Sequence, residues 1–388
     1  VSGTKRPDGR FAGFGGQERE RHSHMVPRRA ILLGGLGVAA AGAAVAGVWR
    51  METMAEYDAA VASMRSVPPI PLEMHDLIRY ATLAANSHNT QPWRFRTTLG
   101  GIDILPDMTR RLATVDPDDH HLFASIGCAA ENLLIAAGAS GTQGALRIAT
   151  PQAETVSLAF ANAAPAERDL YDAIPKRQST RGDYDGRPVP PSDLAKLAAA
   201  ATAIAGVDLV LVTERSKIDR IRDLVLAGNS VQLADRAFRR ELESWLRFNP
   251  HQALAAGDGL FSAASGNPTL PSWLAPLVFD LVFRAKAEND KYAQQIDSSA
   301  GIAVFLAVQD DREHWIAAGR ACQRFALQAT ALGLKHAFLN QPVEVAALRP
   351  ELARLVGFPG RRPDIVMRFG YGQALPFSPR RPVAAVLA

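Results

Sequence analysis

Three short segments of this sequence concentrate guanidiniums, hydroxyls and amides, residue types that hold phosphates and other polar ligands. The first is Lys176-Arg177-Gln178-Ser179-Thr180-Arg181. A phosphate is met by guanidinium forks, a hydroxyl donor and backbone N–H groups at the start of an element, and this run can offer all three. The second is Asn86-Ser87-His88-Asn89-Thr90-Gln91-Pro92-Trp93. Its Asn and Gln amides each present a donor beside an acceptor, which suits a ring edge that alternates the two. The third, Ser378-Pro379-Arg380-Arg381-Pro382, follows Gly370-Tyr371-Gly372 and adds two cations. One basic turn alone would read as a solvated face; three such segments point to a shared ligand.

Long helices and short strands must position these segments. Aligning Asp118-Asp119 with Asp310-Asp311 places Gly127 on Gly319, Ala129 on Ala321, Glu131 on Gln323, Ala137 on Ala329 and Gly141 on Gly333 without a gap, at an offset of 192 residues. Each copy reads as an acidic cap, an Ala/Leu-rich helix and a Gly stop, the pattern of a buried core helix. Such a repeat implies a duplicated architecture. Strands are expected at Gly101–Leu105, Val156–Phe160, Val207–Val212, Ile302–Val308 and Asp364–Phe369, with a further strand entered at Trp93. The class is α+β, sheets covered by helices. Cys128 and Cys322 lie in the helical runs and read as buried apolar residues. His120-His121, in the acidic cap, is expected at the surface without a role, and no metal-ligand spacing stands out.

The 388 residues are 47% hydrophobic and 21% charged, a globular composition long enough for two domains. The net charge is +4, yet residues 1–50 alone hold eight Lys/Arg against three Asp/Glu. The basic character therefore belongs to the leader, and no nucleic-acid partner is implied. Residues 1–24 read as disorder or a misassigned start before Met25. In residues 25–50, Arg28-Arg29 precede an uncharged run from Ala30 to Trp49, with Ala44-Val45-Ala46 as a candidate cleavage site. The run is long enough to span a bilayer but weakly hydrophobic, which suits a twin-arginine export signal, or an anchor touching the membrane through residues 30–49 if uncleaved. Export or anchoring places the body outside the cytoplasm; an unused leader leaves it inside. Residues 51–70 read as a linker closed by Val67-Pro68-Pro69-Ile70-Pro71.

The three segments resemble motifs of the nitroreductase family. The resemblance covers roughly Leu72 to Leu387, and its tandem layout is most similar to the Acg-type subgroup. It implies a nitroreductase fold built around flavin mononucleotide (FMN). Arg177, Gln178, Ser179 and Arg181 would hold the phosphate and ribityl chain, while Asn86, Ser87, His88, Asn89 and Gln91 would meet the ring edge. Arg380, assisted by Arg381, would close over the phosphate, with Ser378 where the family usually has Lys. Backbone near Asn340 and Gln341 would face flavin N5.

The ring-edge turn occurs only in the first half and the phosphate motif only in the second. Residues 71–165 and 166–388 thus read as two fused half-domains forming a monomeric, intramolecular pseudo-dimer with one complete site. Residues 241–292 exceed a plain connector and read as a lid or as a helical excursion packing the halves together. The implied activity is hydride transfer through FMN from NAD(P)H or another donor to a small organic acceptor. The alternative is an FMN-holding or electron-transfer protein whose flavin is occluded.

Overall fold

The computed structural model describes residues 53–148, 154–274 and 284–388. The expectations for the start, the leader and its cleavage site lie outside the described residues. The first half runs α1 (Met54–Met64), α2 (Met74–Thr82), β1 (Trp93–Thr98), β2 (Gly101–Pro106), α3 (His120–Ala139), β3 (Thr142–Ile148), β4 (Val156–Asn162) and α4 (Arg168–Ala173). The second runs α5 (Pro191–Thr202), β5 (Val207–Val212), α6 (Arg215–Ala234), α7 (Arg236–Ser244), β6 (Leu246–Arg247), α8 (Pro250–Ala256) and β7 (Leu260–Phe261). It continues with α9 (Ala285–Asp297), β8 (Gly301–Ala307), α10 (Arg312–Ala331), β9 (Lys335–Phe338), α11 (Gln341–Glu344), α12 (Arg349–Leu355) and β10 (Ile365–Gly370).

Each half contributes a four-stranded antiparallel sheet, ordered β1-β2-β4-β3 and β5-β8-β10-β9. The orders match once α3, between β2 and β3, is equated with α10, between β8 and β9. In β1 the alternation of Trp93 and Phe95 inward with Arg94 and Arg96 outward marks a sheet with one wet face. In β8 all seven residues are buried, as a central strand covered on both faces requires.

The two long helices cross at their aligned glycines. A Cβ on Gly127 would lie 2.1 Å from the Ile316 carbonyl oxygen, and one on Gly319 would lie 1.9 Å from that of Ala124. The 192-residue offset carries the first contact onto the second, the mark of an isologous interface. The same exchange relates Arg324 Nη1 to Glu131 Oε1 (2.7 Å) with Gln323 Nε2 to Asn132 Oδ1 (2.6 Å). Arg362 lies against both aligned aspartates, Asp118 at 2.6 Å and Asp310 at 3.2 Å. The duplication read from sequence is thus a pseudo-dimer within one chain. Helix α3 is apolar and long enough to cross a membrane, but it is buried in the fold.

One expected boundary is corrected. Residues 51–70 are not merely a linker, because α1 packs into the body. Thr53 and Glu56 form a capping box at its start. Tyr57 and Val61 are then buried with Ala253, Phe261 and Ala264 of the inserted segment. Five strands lie beyond the five first expected: β1, already signalled at Trp93, and the unanticipated β3, β9 and the two-residue β6 and β7.

Candidate functional site

The turn ahead of β1 is unusual backbone. His88, Asn89 and Gln91 all have positive φ (48°, 54° and 52°), a region that L-residues enter at a cost and that collects at functional sites. Hydrogen bonds hold it there. Gln91 N–H donates to Asn86 Oδ1 (2.9 Å), Gln91 Nε2 to Gly257 O (2.8 Å), and Asn89 Nδ2 to Gly259 O (3.1 Å) and Pro379 O (3.2 Å). Gln91 Oε1 accepts from Arg381 N–H (2.8 Å). The Gln91 amide is therefore engaged inside the protein rather than at a ligand edge, while Asn86, Ser87 and His88 line a cavity. Burial, with Arg181 nearby, pushes His88 down to about 4, so its ring is neutral at pH 7.

Beside this turn is a recess of about 40 Å³, lined by Arg65, Asn89, Arg177, Gln178, Ser179, Arg181, Ser378 and Arg380 among others. Arg177 and Arg380 are 2% and 6% exposed. Carbonyls at the end of α2 receive them. Arg177 Nη2 donates to Leu83 O (3.1 Å), and Arg380 donates to Thr82 O (2.7 Å) and Ala84 O (3.1 Å). A helix C-terminus favours cations but does not neutralise them. Arg65 reaches in from the end of α1 and donates to Pro175 O at 3.0 Å. Among the described residues none of the four arginines pairs with a carboxylate, and Arg65 Nε and Arg177 Nε and Nη1 are buried without a partner. Burial lowers Arg177 to about 10 and Arg380 to about 9, and holds Arg65 well below its ordinary value. Several buried guanidiniums without counter-charge make a site for an anion.

Gln178 lines the recess, but its amide is engaged by Leu375, donating to the carbonyl (2.7 Å) and accepting from the N–H (3.0 Å). Arg381 lies outside the recess. Its guanidinium donates to Ala385 O (2.6 Å) and lies 3.8 Å from Asp107, so the expected assistance to Arg380 is corrected. Arg65 was missed, since nothing in its local sequence marks it.

The recess shares Ala85, Asn86, Arg181 and Leu260 with a larger cavity of about 200 Å³. Asn340 and Gln341 line this cavity at the start of α11, and no acceptor among the described residues takes their backbone N–H groups. Gln341 Oε1 is buried and unpartnered among the described residues. Gly228 permits the approach of α6, because a Cβ there would lie 2.9 Å from Gln341 Cβ. Phe238, Leu242 and Leu246 form an apolar outer wall, from α7 and the inserted segment. Arg110 and Arg247 both pair with Asp258, and Glu241 accepts the N–H groups of Thr114 (2.9 Å) and Val115 (3.0 Å), fastening this wall to the first half.

His120 and His121 are not surface residues; they are 0% and 5% exposed. The carboxylate expected to cap α3 explains this. Asp119 sits at φ 61° and pairs with Arg111, while Asp116 accepts the N–H groups of His121 and Leu122 instead. The cap shifted in this way brings both rings inside.

The nitroreductase family profile matches residues 174–372. Rv3131 of Mycobacterium tuberculosis, described as an NAD(P)H nitroreductase, is 28% identical over 335 residues, covering 84% of this chain and 94% of that protein. The acg protein of the same organism, described likewise, is 23% identical over 323 residues, covering 80% and 93%. Among solved structures, an FMN-bound nitroreductase from Desulfitobacterium hafniense covers 56% of this chain and 94% of its own at 14% identity, with a TM-score of 0.36. The family match runs from the start of the arginine–serine segment to Gly372, just over half of the sequence. The chain belongs to the nitroreductase family of oxidoreductases.

Proposed function

We propose that this protein is an FMN-dependent oxidoreductase that passes hydride from NAD(P)H or another donor to a small organic acceptor. The observation that carries the reading is the recess of unpaired buried guanidiniums opening into a larger cavity. Arg65, Arg177, Arg181 and Arg380 would bind the phosphate, with Ser179 as hydroxyl donor. Asn86, Ser87 and His88 would line one side of the ring, and the N–H groups of Asn340 and Gln341 the other. FMN, when bound, supplies two-electron chemistry at N5. The chain's part is to bind and orient it, to stabilise negative charge with the α11 N–H groups, and to exclude water with Phe238, Leu242 and Leu246.

A second reading, an FMN-holding or electron-transfer protein, draws on the fastening of the outer wall through Asp258 and Glu241. We also propose twin-arginine export, on Arg28-Arg29 and the uncharged run behind them, with the folded body carrying one site as a monomer. Loss of export in an Arg28→Lys, Arg29→Lys variant is expected; unchanged export would refute that route.

The deciding experiment is anaerobic mixing of the purified chain with NADH and with NADPH while following flavin absorbance. Bleaching within seconds supports turnover from a nicotinamide donor. A yellow protein that neither nucleotide reduces favours the second reading, and a colourless protein that FMN does not restore rejects both.

A further inference from the structure

Behind the cavity wall lies a cluster that the flavin chemistry does not use. Asp116, His120 and His121 each offer a ligand atom, and these atoms all lie within 4.8 Å of one another. The three residues are 4%, 0% and 5% exposed.

The hydrogen bonds around the cluster define which atoms remain available. His120 Nε2 lies 2.9 Å from Asp364 Oδ1, and His121 Nε2 lies 3.3 Å from the Asp364 carbonyl oxygen. Both acceptors are fixed, because Asp364 Oδ2 takes the Ala307 N–H at 2.6 Å. The Asp364 carbonyl oxygen can only accept, so His121 Nε2 carries the proton and its Nδ1 keeps a lone pair; His120 takes the same form when the Asp364 carboxyl is ionised, and burial raises that carboxyl to about 7. His120 Nδ1 is buried and has no partner among the described residues. His121 Nδ1 lies 3.9 Å from Asp116 Oδ1. The Asp116 oxygens each accept one backbone N–H, from His121 (3.0 Å) and Leu122 (2.9 Å), which orients the carboxylate and leaves each oxygen a free lone pair.

We propose that Asp116, His120 and His121 bind a divalent transition-metal ion through Asp116 Oδ1 and the two Nδ1 atoms. Two imidazole nitrogens and a carboxylate oxygen suit zinc and its neighbours rather than calcium or magnesium. The outer bonds have the form that metal-bound histidines usually show, with the far N–H donated to a carboxylate for one ring and to a main-chain carbonyl for the other. A ligand histidine must be neutral, and burial disfavours the charged form of both rings. Of the three residues, His121 also lines the cavity. Arg362 and Arg349 are nearby cations that oppose an ion here; the charge of Arg362 is met by Asp118 and Asp310, and Arg349 is drawn to the same two carboxylates and to Asp116.

The test uses the full chain without a histidine tag, treated with chelator and titrated with Co²⁺ alone under visible absorbance. Expected are d–d bands that saturate at one equivalent, disappear on adding Zn²⁺, and accompany a rise in Tm. His121→Ala and Asp116→Asn each alter a proposed ligand and should weaken Co²⁺ binding by more than the roughly 10- to 100-fold that loss of an outer hydrogen-bond partner costs. Asp116→Asn retains an acceptor for the helix cap and so guards against misfolding. A wild-type chain that gives no band and no Tm change overturns the proposal, leaving a hydrogen-bonded cluster only. Binding that survives in both variants overturns it equally, by placing the ion elsewhere. Flavin absorbance read in the same samples reports separately on the proposed function.

Discussion

Replacing Arg177 by methionine should move stability and ligand binding in opposite directions. Arg177 is 2% exposed, and burial lowers it from 12.5 to about 10. At about 1.4 kcal/mol per tenfold change, keeping it charged without an anion costs on the order of 3 kcal/mol. Methionine removes that cost and fills similar space, but loses the bond to Leu83 O, worth about 1 kcal/mol. The anion-free chain should therefore gain roughly 2 kcal/mol, a rise of a few degrees in Tm. The same substitution removes a charged partner of the phosphate, for which a loss of about 2–5 kcal/mol is typical, or at least roughly 30-fold in affinity. Thermal unfolding of both chains, with and without FMN and with inorganic phosphate as a second ligand, reads both terms. If Arg177→Met lowered the Tm of the anion-free chain yet kept the FMN-induced rise, Arg177 would be a structural cation and the phosphate assignment would fall.

Three further perturbations probe other parts of the molecule. A chain beginning at residue 67 lacks α1 and Arg65, and should bind FMN more weakly than one beginning at residue 53; equal affinity by fluorescence titration would remove α1 from the site. Gly127→Ala and Gly319→Ala should each destabilise by about 2 kcal/mol in urea melts, because overlap with a carbonyl outweighs the roughly 1 kcal/mol that alanine adds to a helix. The double variant should fall short of the sum, since one separation of the helices relieves both clashes, and strict additivity would contradict a shared crossing. His336 is buried with neither ring nitrogen partnered among the described residues, and burial holds it well below 6.5. Its contribution to stability is present above pH 6.5 and is lost as pH falls, by up to about 1.4 kcal/mol per pH unit. His336→Leu should flatten that acid limb in Tm measured from pH 7 to 5, and an unchanged slope would exclude His336 as its source.

The fold was legible where local pattern and long-range packing agree. Gly127 and Gly319 stand in register in the sequence because both permit the same helix crossing, so the duplication could be read before its geometry was known. The arginine–serine segment was legible as a cluster because its residues are adjacent in sequence, and Arg177, Ser179 and Arg181 do line one recess. Arg65 was not, since it reaches the recess only when α1 docks on Phe261 and Ala264, a tertiary event without a local signature. Gln91 and Arg381 were read as ligand-facing from residue type and from the resemblance of their segments to family motifs. The turn uses the Gln91 amide to hold its positive-φ backbone, and the adjacent Arg381 N–H completes that support. His120 and His121 were misjudged because Asp119 stood at the expected cap position, while the working cap is three residues earlier.

The bond from Arg380 to Asn89 joins residues 291 positions apart in the chain. At ribosomal rates of about 5–20 residues per second, the turn that carries Asn89 waits roughly 15–60 s for the arginine that closes over it. For the part of that interval in which the chain grows from α3 to α10, roughly 10–40 s at the same rates, α3 also lacks α10, and its small-residue face is open to equivalent faces on neighbouring nascent chains. Crowding of translating ribosomes on one message would then set the yield of correctly joined halves, and slower initiation should raise the fraction of chains whose halves find each other.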